Sequence, residues 1–404
     1  MNFYLDIENN NDINHILCNL DITTIQKSKN ILFRKYYNVV SIEKEKIDKL
    51  ENSDSWDKMK KIGNPYELIY TSYNKKRRND SISLYIPISR SYFKMWEIFY
   101  NFDFFKYFNI KEDNIFSHLA EGPGGFMEAT YNYKCKMMNK IKLNDDVFYN
   151  ITLKPTNNFI PDFNKIKKIF NDNTNIKVTY GNLYFIEDVM NYINNFSQNK
   201  ASFVTADGGF DYSSNFNGQE VNSCQIIYSE CIIALNILKY RGCFVCKVFD
   251  LFTITMVQML YIVSQCFDNI YIYKPDTSRP ANSEKYLICM YYKDNLDSEL
   301  KNKLLKLIEK WQNMTESFTE NDSIIFKNLH IDNNFIQQLN EYNEKYMDIQ
   351  MFYLNNTINL AETKIDKEKY GEIVQNQVDN ALKWCNKYNV EINKNSIYYK
   401  KSYI

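Results

Sequence analysis

A chain of 404 residues with 49 basic and 49 acidic side chains has no net charge to draw it toward nucleic acid or membrane. Any such partner must meet a local patch. A hydrophobic fraction of 45% with 16% aromatics excludes a disordered chain, and ten glycines and seven prolines exclude collagen-like and linker-like ones. The length allows two or three structural units, or one large domain with extensions. Residues 1–60 are polar, rich in Lys and Asn, and read as a helical extension. From about 61 to 295 strand and helix patterns alternate. Strands are predicted at Ile115–Leu119, Val147–Leu153, Ile176–Tyr180, Ser202–Ala206, Cys243–Val248, Ile270–Tyr273 and Tyr286–Tyr292, with helices at Met127–Met138, Gln219–Lys239 and Thr253–Cys266. This alternation predicts a mostly parallel sheet with helices on both faces. Only a short Pro-containing loop separates the last two strands, which predicts an antiparallel pair. Residues 296–404 are charged and read as a C-terminal helical extension.

The N-terminus lacks the basic region and apolar run of a secretory signal, and no window approaches a membrane span. Nine cysteines are scattered, mostly in apolar segments, as in a reduced intracellular protein. A cytoplasmic location is favoured, with the nucleus left open. The abundance of Asn, Lys, Ile and Tyr fits AT-rich codons such as those of a large cytoplasmic DNA virus, which would place the protein in a viral factory or virion.

Where glycine is this scarce its placement carries information, and eight of the ten fall between 122 and 242. Glu121-Gly122-Pro123-Gly124-Gly125-Phe126 ends the first predicted strand and opens a helix. Ligands of open α/β sheets bind at such carboxyl ends. The run is neither G-x-G-x-x-G nor a P-loop, and a loop that does not wrap phosphates suits a nucleoside-type cofactor, for which S-adenosylmethionine is the candidate. Taken alone, the alternative is a tight strand–helix turn with no ligand. Ala206-Asp207-Gly208-Gly209-Phe210 adds a carboxylate at the same edge. Lys247 lies in the apolar run Cys243–Val248, where a lysine is costly unless paired or functional. Glu284 precedes the last strand, and Lys94 sits on a helix before the sheet. Each charge alone could be a surface group; together they place Lys, Asp, Lys and Glu at one rim.

These residues resemble the FtsJ-like family of 2′-O-ribose methyltransferases, and more closely the cap-specific mRNA (nucleoside-2′-O-)-methyltransferases that convert cap 0 to cap 1. The resemblance runs in order over roughly 61–295. It rests on Asn64-Pro65-Tyr66-Glu67, the glycine loop, Ile151-Thr152-Leu153-Lys154, A-D-G-G-F, Gly218-Gln219-Glu220, C-K-V-F-D-L-F and Lys274-Pro275-Asp276-Thr277-Ser278-Arg279-Pro280-Ala281-Asn282-Ser283-Glu284. A weaker similarity to the helical extension of these enzymes lies near Ala381–Trp384. The resemblance implies a Rossmann-like methyltransferase sheet over 61–295 with an antiparallel last strand. It also implies a catalytic tetrad of Lys94, Asp207, Lys247 and Glu284, and S-adenosylmethionine as donor, leaving S-adenosylhomocysteine. Glu121, Gly122, Pro123, Gly124, Gly125, Phe126, Leu153, Asn182, Leu183 and Asp207 would hold the donor. The capped 5′ end of mRNA would be the partner, with other capping enzymes as further partners and no membrane. The chain departs from the pattern twice: Gly181-Asn182-Leu183 stands where many relatives have Gly-Asp-Ile, and the segment from Phe210 to Gly218 is longer.

Methyl transfer to a ribose hydroxyl is an in-line displacement governed by positioning, and the hydroxyl must lose a proton. Lys247 is the expected base, its pKa held down by burial and by Lys94, with Asp207 and Glu284 orienting the ammonium groups. No metal is required. The three histidines are far apart in sequence, and Cys243–Cys246 reads as core packing because a zinc site needs further ligands. Glu220 is the candidate carboxylate for a cationic 7-methylguanine base, or else an ordinary acid at a helix N-terminus. Ser278, Arg279, Asn282 and Ser283 would contact the first transcribed nucleotides, whose 2′-hydroxyl marks RNA. Lys75-Lys76-Arg77-Arg78 would attract phosphates, or is a solvated or nuclear-targeting run.

Overall fold

Side chains that alternate along the strands divide between two apolar layers, one on each face of a large sheet. The computed structural model describes residues 1–7, 13–50, 54–71, 80–106, 114–139, 143, 145–156, 166, 170, 175–209, 217–363 and 365–402. In chain order its elements are β1 (Asn2–Leu5), α1 (Ile13–Leu17), β2 (Asp21–Gln26), α2 (Arg34–Leu50), α3 (Asp54–Ile62), α4 (Ser91–Phe102), β3 (Ile115–Leu119), α5 (Gly125–Met138), β4 (Val147–Thr152), β5 (Asn175–Tyr180) and α6 (Ile186–Asn194). There follow β6 (Ala201–Ala206), α7 (Gln219–Ile237), β7 (Leu238–Val248), α8 (Ile254–Ser264), β8 (Phe267–Tyr273), β9 (Lys285–Tyr292), α9 (Ser298–Thr315), β10 (Asp322–Lys327), α10 (Asn333–Glu362), α11 (Lys367–Lys387) and α12 (Ile397–Ser402).

The large sheet has the order β1-β8-β9-β7-β6-β3-β4-β5. The five strands β5, β4, β3, β6 and β7 are parallel, and β9 runs antiparallel to both β7 and β8. The seven predicted strands are all present, and the last two pair as expected. Chain order reverses between β3 and β6, which is where an open α/β sheet forms its ligand crevice. Period-two alternation explains the burial. Phe116, Phe203, Cys243, Val245, Tyr286 and Ile288 face the layer built by α4, α5 and α11. Leu119, Val204, Phe244, Cys246, Leu287 and Cys289 face the layer of α7, α8 and α9. Cys243 and Cys246 therefore lie on opposite faces and cannot share a ligand.

The expectation of purely helical flanks needs correction. β1 pairs antiparallel with β8 and extends the main sheet, from Asn2 opposite Tyr273 to Leu5 opposite Ile270. β2 pairs with β10, so the two flanks meet in a separate two-stranded sheet. The β-branched runs D-I-T-T-I-Q and D-S-I-I-F-K suit strands, but each is short and its partner lies some three hundred residues away in sequence. Beyond these strands the flanks are helical, with α2 packed against α10, and α11 against the segment around Glu67.

An aromatic cluster locks α4 to α5 and the sheet. Phe99 stacks on Tyr133 at 4.9 Å between centroids and lies 5.5 Å from Phe203 and 5.1 Å from Phe105. Because Phe99 is fully buried, Phe99→Ala should destabilise the fold by about 3–5 kcal/mol. The 67% exposed Phe352 should tolerate alanine within about 0.5 kcal/mol. Urea denaturation of the two variants checks the contrast.

Candidate active site

Five parallel strands end at one rim, and most of the residues singled out in the sequence leave from those ends. After β3 the chain passes through Glu121–Gly124 into α5. Gly124 has φ 110°, a conformation that disfavours any side chain. Glu121 accepts hydrogen bonds from the backbone N–H groups of Phe126 and of Met127, the latter at 3.1 Å, and so caps the new helix. Its other oxygen is buried without a hydrogen bond, although 3.2 Å from His118 Nδ1. Burial, with Asp207 nearby, pushes the Glu121 carboxyl well above its usual range, and burial holds His118 neutral with a pKa of about 3. The pair is therefore not an ion pair at neutral pH.

Asp207 follows β6, and its backbone N–H donates to the Leu119 carbonyl at 3.2 Å. The next amide, of Gly208, donates to the buried Glu230 at 3.0 Å. A Cβ on Gly209 would stand 2.9 Å from the Lys247 ammonium, so glycine here leaves the lysine room. Lys247, near the end of β7, reaches the Asp207 carbonyl at 2.8 Å and its carboxylate at 3.2 Å. The antiparallel strand β9 begins at this edge, with Lys247 opposite Tyr286. That pairing puts Glu284 beside the lysine. Glu284 in turn holds Lys94 of α4 at 2.7 Å, while Tyr286 donates to Asp207 at 3.2 Å and Ser278 to Glu284 at 2.8 Å. The four charged side chains keep 12–15% exposure, enough to meet a ligand while remaining largely desolvated.

The electrostatics differ from expectation at Lys247. Burial alone would lower its pKa, but the carboxylates of Asp207, Glu284 and Glu230 outweigh burial and raise it. Lys94, paired with Glu284, does not reverse that balance. Burial would likewise raise Glu284, yet Lys94, Lys247 and Lys274 hold it well below the usual carboxylate range. Burial does depress Lys274, whose ammonium donates to the Glu284 carbonyl at 2.5 Å, to the Asn282 carbonyl at 2.8 Å and to the Asn282 side chain.

Several expected substrate contacts turn inward. Both oxygens of Glu220 accept from the N–H of Phe252, at 3.0 and 3.2 Å, and Oε1 also accepts from the N–H and hydroxyl of Thr253 at 2.8 and 2.7 Å. Glu220 thus ties α7 to the start of α8 instead of presenting an open carboxylate, and burial raises its pKa to about 8. Ser278 and Ser283 are 1% exposed, Ser283 donating to Gln219 at 2.8 Å. Arg279 and Arg90 share Glu67, at 3.2 and 3.1 Å. Asn282 stays exposed. The basic run 75–78 and residues 210–216 lie outside the described residues.

Leu153, Asn182 and Leu183 follow β4 and β5 on the same edge; Leu153 is 40% exposed and Leu183 is buried. The Asn182 N–H is held by Asp188 at 2.7 Å. Sequence reasoning missed Glu97, a buried carboxylate that receives Tyr273, Thr277 and Trp384 side chains at 2.5, 3.1 and 3.0 Å. It sits one turn from Lys94, joining that helix to the segment leading into Glu284. An acid on the apolar face of α4 was its only signal. Among the described residues no group of three His, Cys, Asp or Glu could hold a metal ion, and no helix is long and apolar enough to cross a membrane.

A family model described as FtsJ-like methyltransferase matches residues 87–292, just over half of the chain. The chain belongs to the FtsJ-like methyltransferase family. It is 35% identical over 192 residues to cap-specific mRNA (nucleoside-2′-O-)-methyltransferase 1 of Drosophila melanogaster, covering 45% of this chain and 23% of that protein. The human protein of the same name is 31% identical over 195 residues, covering 45% and 22%. The chain thus spans under a quarter of the length of these relatives. Among solved structures, a Plasmodium falciparum protein described as a ribosomal RNA methyltransferase aligns with a TM-score of 0.35 and 16% identity, over 50% of this chain and 97% of that one. S-adenosylmethionine is the methyl donor of the FtsJ-like family. The rim fits such a group: the orphaned buried oxygen of Glu121 can take a donor or a cation, and the glycine loop and Asp207 flank the crevice between β3 and β6.

Glu230 makes the rim sensitive to pH. Burial raises its pKa from 4.5 to about 8, so between those values the folded state keeps a proton that the unfolded state releases. Stability from this group therefore falls as pH rises from 4.5 to 8 and is level above. Thermal melts of Glu230→Gln should show a shallower decline over that interval than the parent protein.

Proposed function

We propose that this chain methylates the ribose 2′-hydroxyl of the first transcribed nucleotide at the capped 5′ end of mRNA, converting cap 0 to cap 1. The observation that carries the reading is the pairing of Lys94 with Glu284 and of Lys247 with Asp207 at the rim beside the glycine loop. The similarity to the cap-specific enzymes supports the choice of substrate.

Bound at the loop, S-adenosylmethionine supplies a methyl group made electrophilic by its sulfonium. In this reading Glu121, Gly122, Pro123, Gly124, Gly125, Phe126, Leu153, Asn182, Leu183 and Asp207 hold it. Lys94 and Lys247 converge on the hydroxyl from either side of Glu284, fixing an in-line approach. Lys247 is charged while Asp207 and Glu284 face it. To accept the hydroxyl proton it must first give up its own and lose part of that stabilisation. Closing the rim under RNA deepens desolvation, the influence that lowers its pKa, and turning Asp207 toward a cationic donor removes a contact that raises it. Lys247 then becomes the general base and Lys94 steers the ribose oxygen.

Glu220 is proposed to meet the cationic cap base by exchanging its contacts to Phe252 and Thr253 for the ligand, with Lys44 and Asp250 beside it in a small recess. Ser278, Arg279, Asn282 and Ser283 shape the path of the first nucleotides, the serines by bracing the segment from within. The AT-rich composition remains the ground for a cytoplasmic, viral setting, and other capping enzymes are proposed partners.

The test offers capped and uncapped RNAs of one sequence with a methyl-labelled donor, followed by nuclease mapping. Label is expected at the 2′-oxygen of the first transcribed nucleotide of the capped RNA alone. Equal labelling of uncapped RNA would point to an internal RNA methyltransferase. No transfer to either would point to an RNA-binding subunit without activity of its own.

A further inference from the structure

A cleft of about 230 Å³ opens between α3, the turn at Glu67–Ile69, α11 and α12. Its walls include Ile62 and Val374 with the rings of Tyr370 and Tyr398, and the exposed Lys58 and Lys61 stand at it. The one carboxylate in the lining is Glu67, and its charge is already committed. It accepts from Asn64 at 2.6 Å and from Arg90 and Arg279 at 3.1 and 3.2 Å, and with burial opposing them these arginines hold it below its usual pKa. The cleft therefore combines apolar and aromatic walls with two exposed lysines at its mouth. Its floor is stiff: the Gln377 amide donates to the carbonyls of Lys61, Ile62 and Asn64 at 2.9, 3.0 and 2.8 Å, which ties α11 to the end of α3. A pre-organised pocket loses little entropy on binding.

Aromatic and aliphatic surface beside lysines is the composition that binds single-stranded nucleic acid: a base lies against the rings and its phosphate meets the ammonium groups. The volume lies below the roughly 300–1,000 Å³ of pockets that enclose a drug-sized ligand, which suits one base with its phosphate outside. Glu67 also connects the cleft to the rim, because Arg279 lies in the segment that ends at Glu284.

We propose that this cleft is a second RNA contact, holding an unpaired base of the strand downstream of the methylated nucleotide. The proposal rests on RNA being the substrate, but its test does not require methyl transfer. A fluorescent 12-nucleotide single-stranded RNA is titrated by anisotropy with the full chain, with Tyr370→Ala, and with the double variant Lys58→Glu/Lys61→Glu. These side chains are exposed, and melting curves confirm that the variants fold. Tyr370→Ala should weaken binding about 5- to 20-fold. The lysine variant should also lower the slope of log K against log salt by about 1–2. Methylation of a capped dinucleotide, which lacks the downstream strand, should keep its kcat and KM in both variants. Unchanged RNA affinity in both variants overturns the proposal, as does an equal loss on the dinucleotide. A parent chain that binds the RNA through the cleft yet methylates nothing overturns the functional reading and leaves the cleft standing.

Discussion

Two ammonium groups drawn out of water at one sheet rim must each be met by a carboxylate, and much of the architecture serves that requirement. An unpaired buried charge costs several kcal/mol, so Lys94 and Lys247 can stand at 12% exposure only because Glu284 and Asp207 stand with them. The carboxylates need holding in turn. Asp207 is fixed by the β3–β6 pairing and by Tyr286, and Glu284 by Ser278 and by the register that sets Lys247 opposite Tyr286. The antiparallel last strand is what makes this possible, since its first residues arrive where the parallel strands finish.

The same charges bear on the chemistry proposed for the rim. With Asp207 and Glu284 facing it Lys247 is stabilised as a cation, so the proposed role as base requires that stabilisation to be relieved when substrate binds. Lys274, whose pKa burial depresses, is spent on backbone carbonyls around Glu284 and shapes that loop.

Much of this was legible in the sequence, for identifiable reasons. Strands β3, β6 and β9 are buried on both faces and read as apolar runs whose ends are sharp. Lys247 stood out because a lysine in such a run needs a partner, and Asp207 because two glycines followed it. Other features depend on partners distant in sequence. Nothing local marks Asn2–Leu5 as the partner of β8, or Asp21–Gln26 as the partner of Asp322–Lys327. Glu97 and Glu230 read as ordinary helix acids until the fold buries them beneath the rim. The direction of the Lys247 shift was missed because it depends on the balance of three carboxylates, one of them Glu230, against a single neighbouring lysine. The inward turn of Glu220, Ser278 and Ser283 depends on contacts that motif spacing does not encode.

The most direct measurement is single-turnover methyl transfer by Lys247→Ala at saturating donor and capped RNA, alongside donor affinity by calorimetry. If Lys247 takes the hydroxyl proton, the rate should fall by about 10²–10⁴-fold while donor affinity stays close to that of the parent, with a lower melting temperature because Asp207 loses its partner. A variant that transfers methyl groups at the parental rate would contradict the assignment of this rim as the reacting centre.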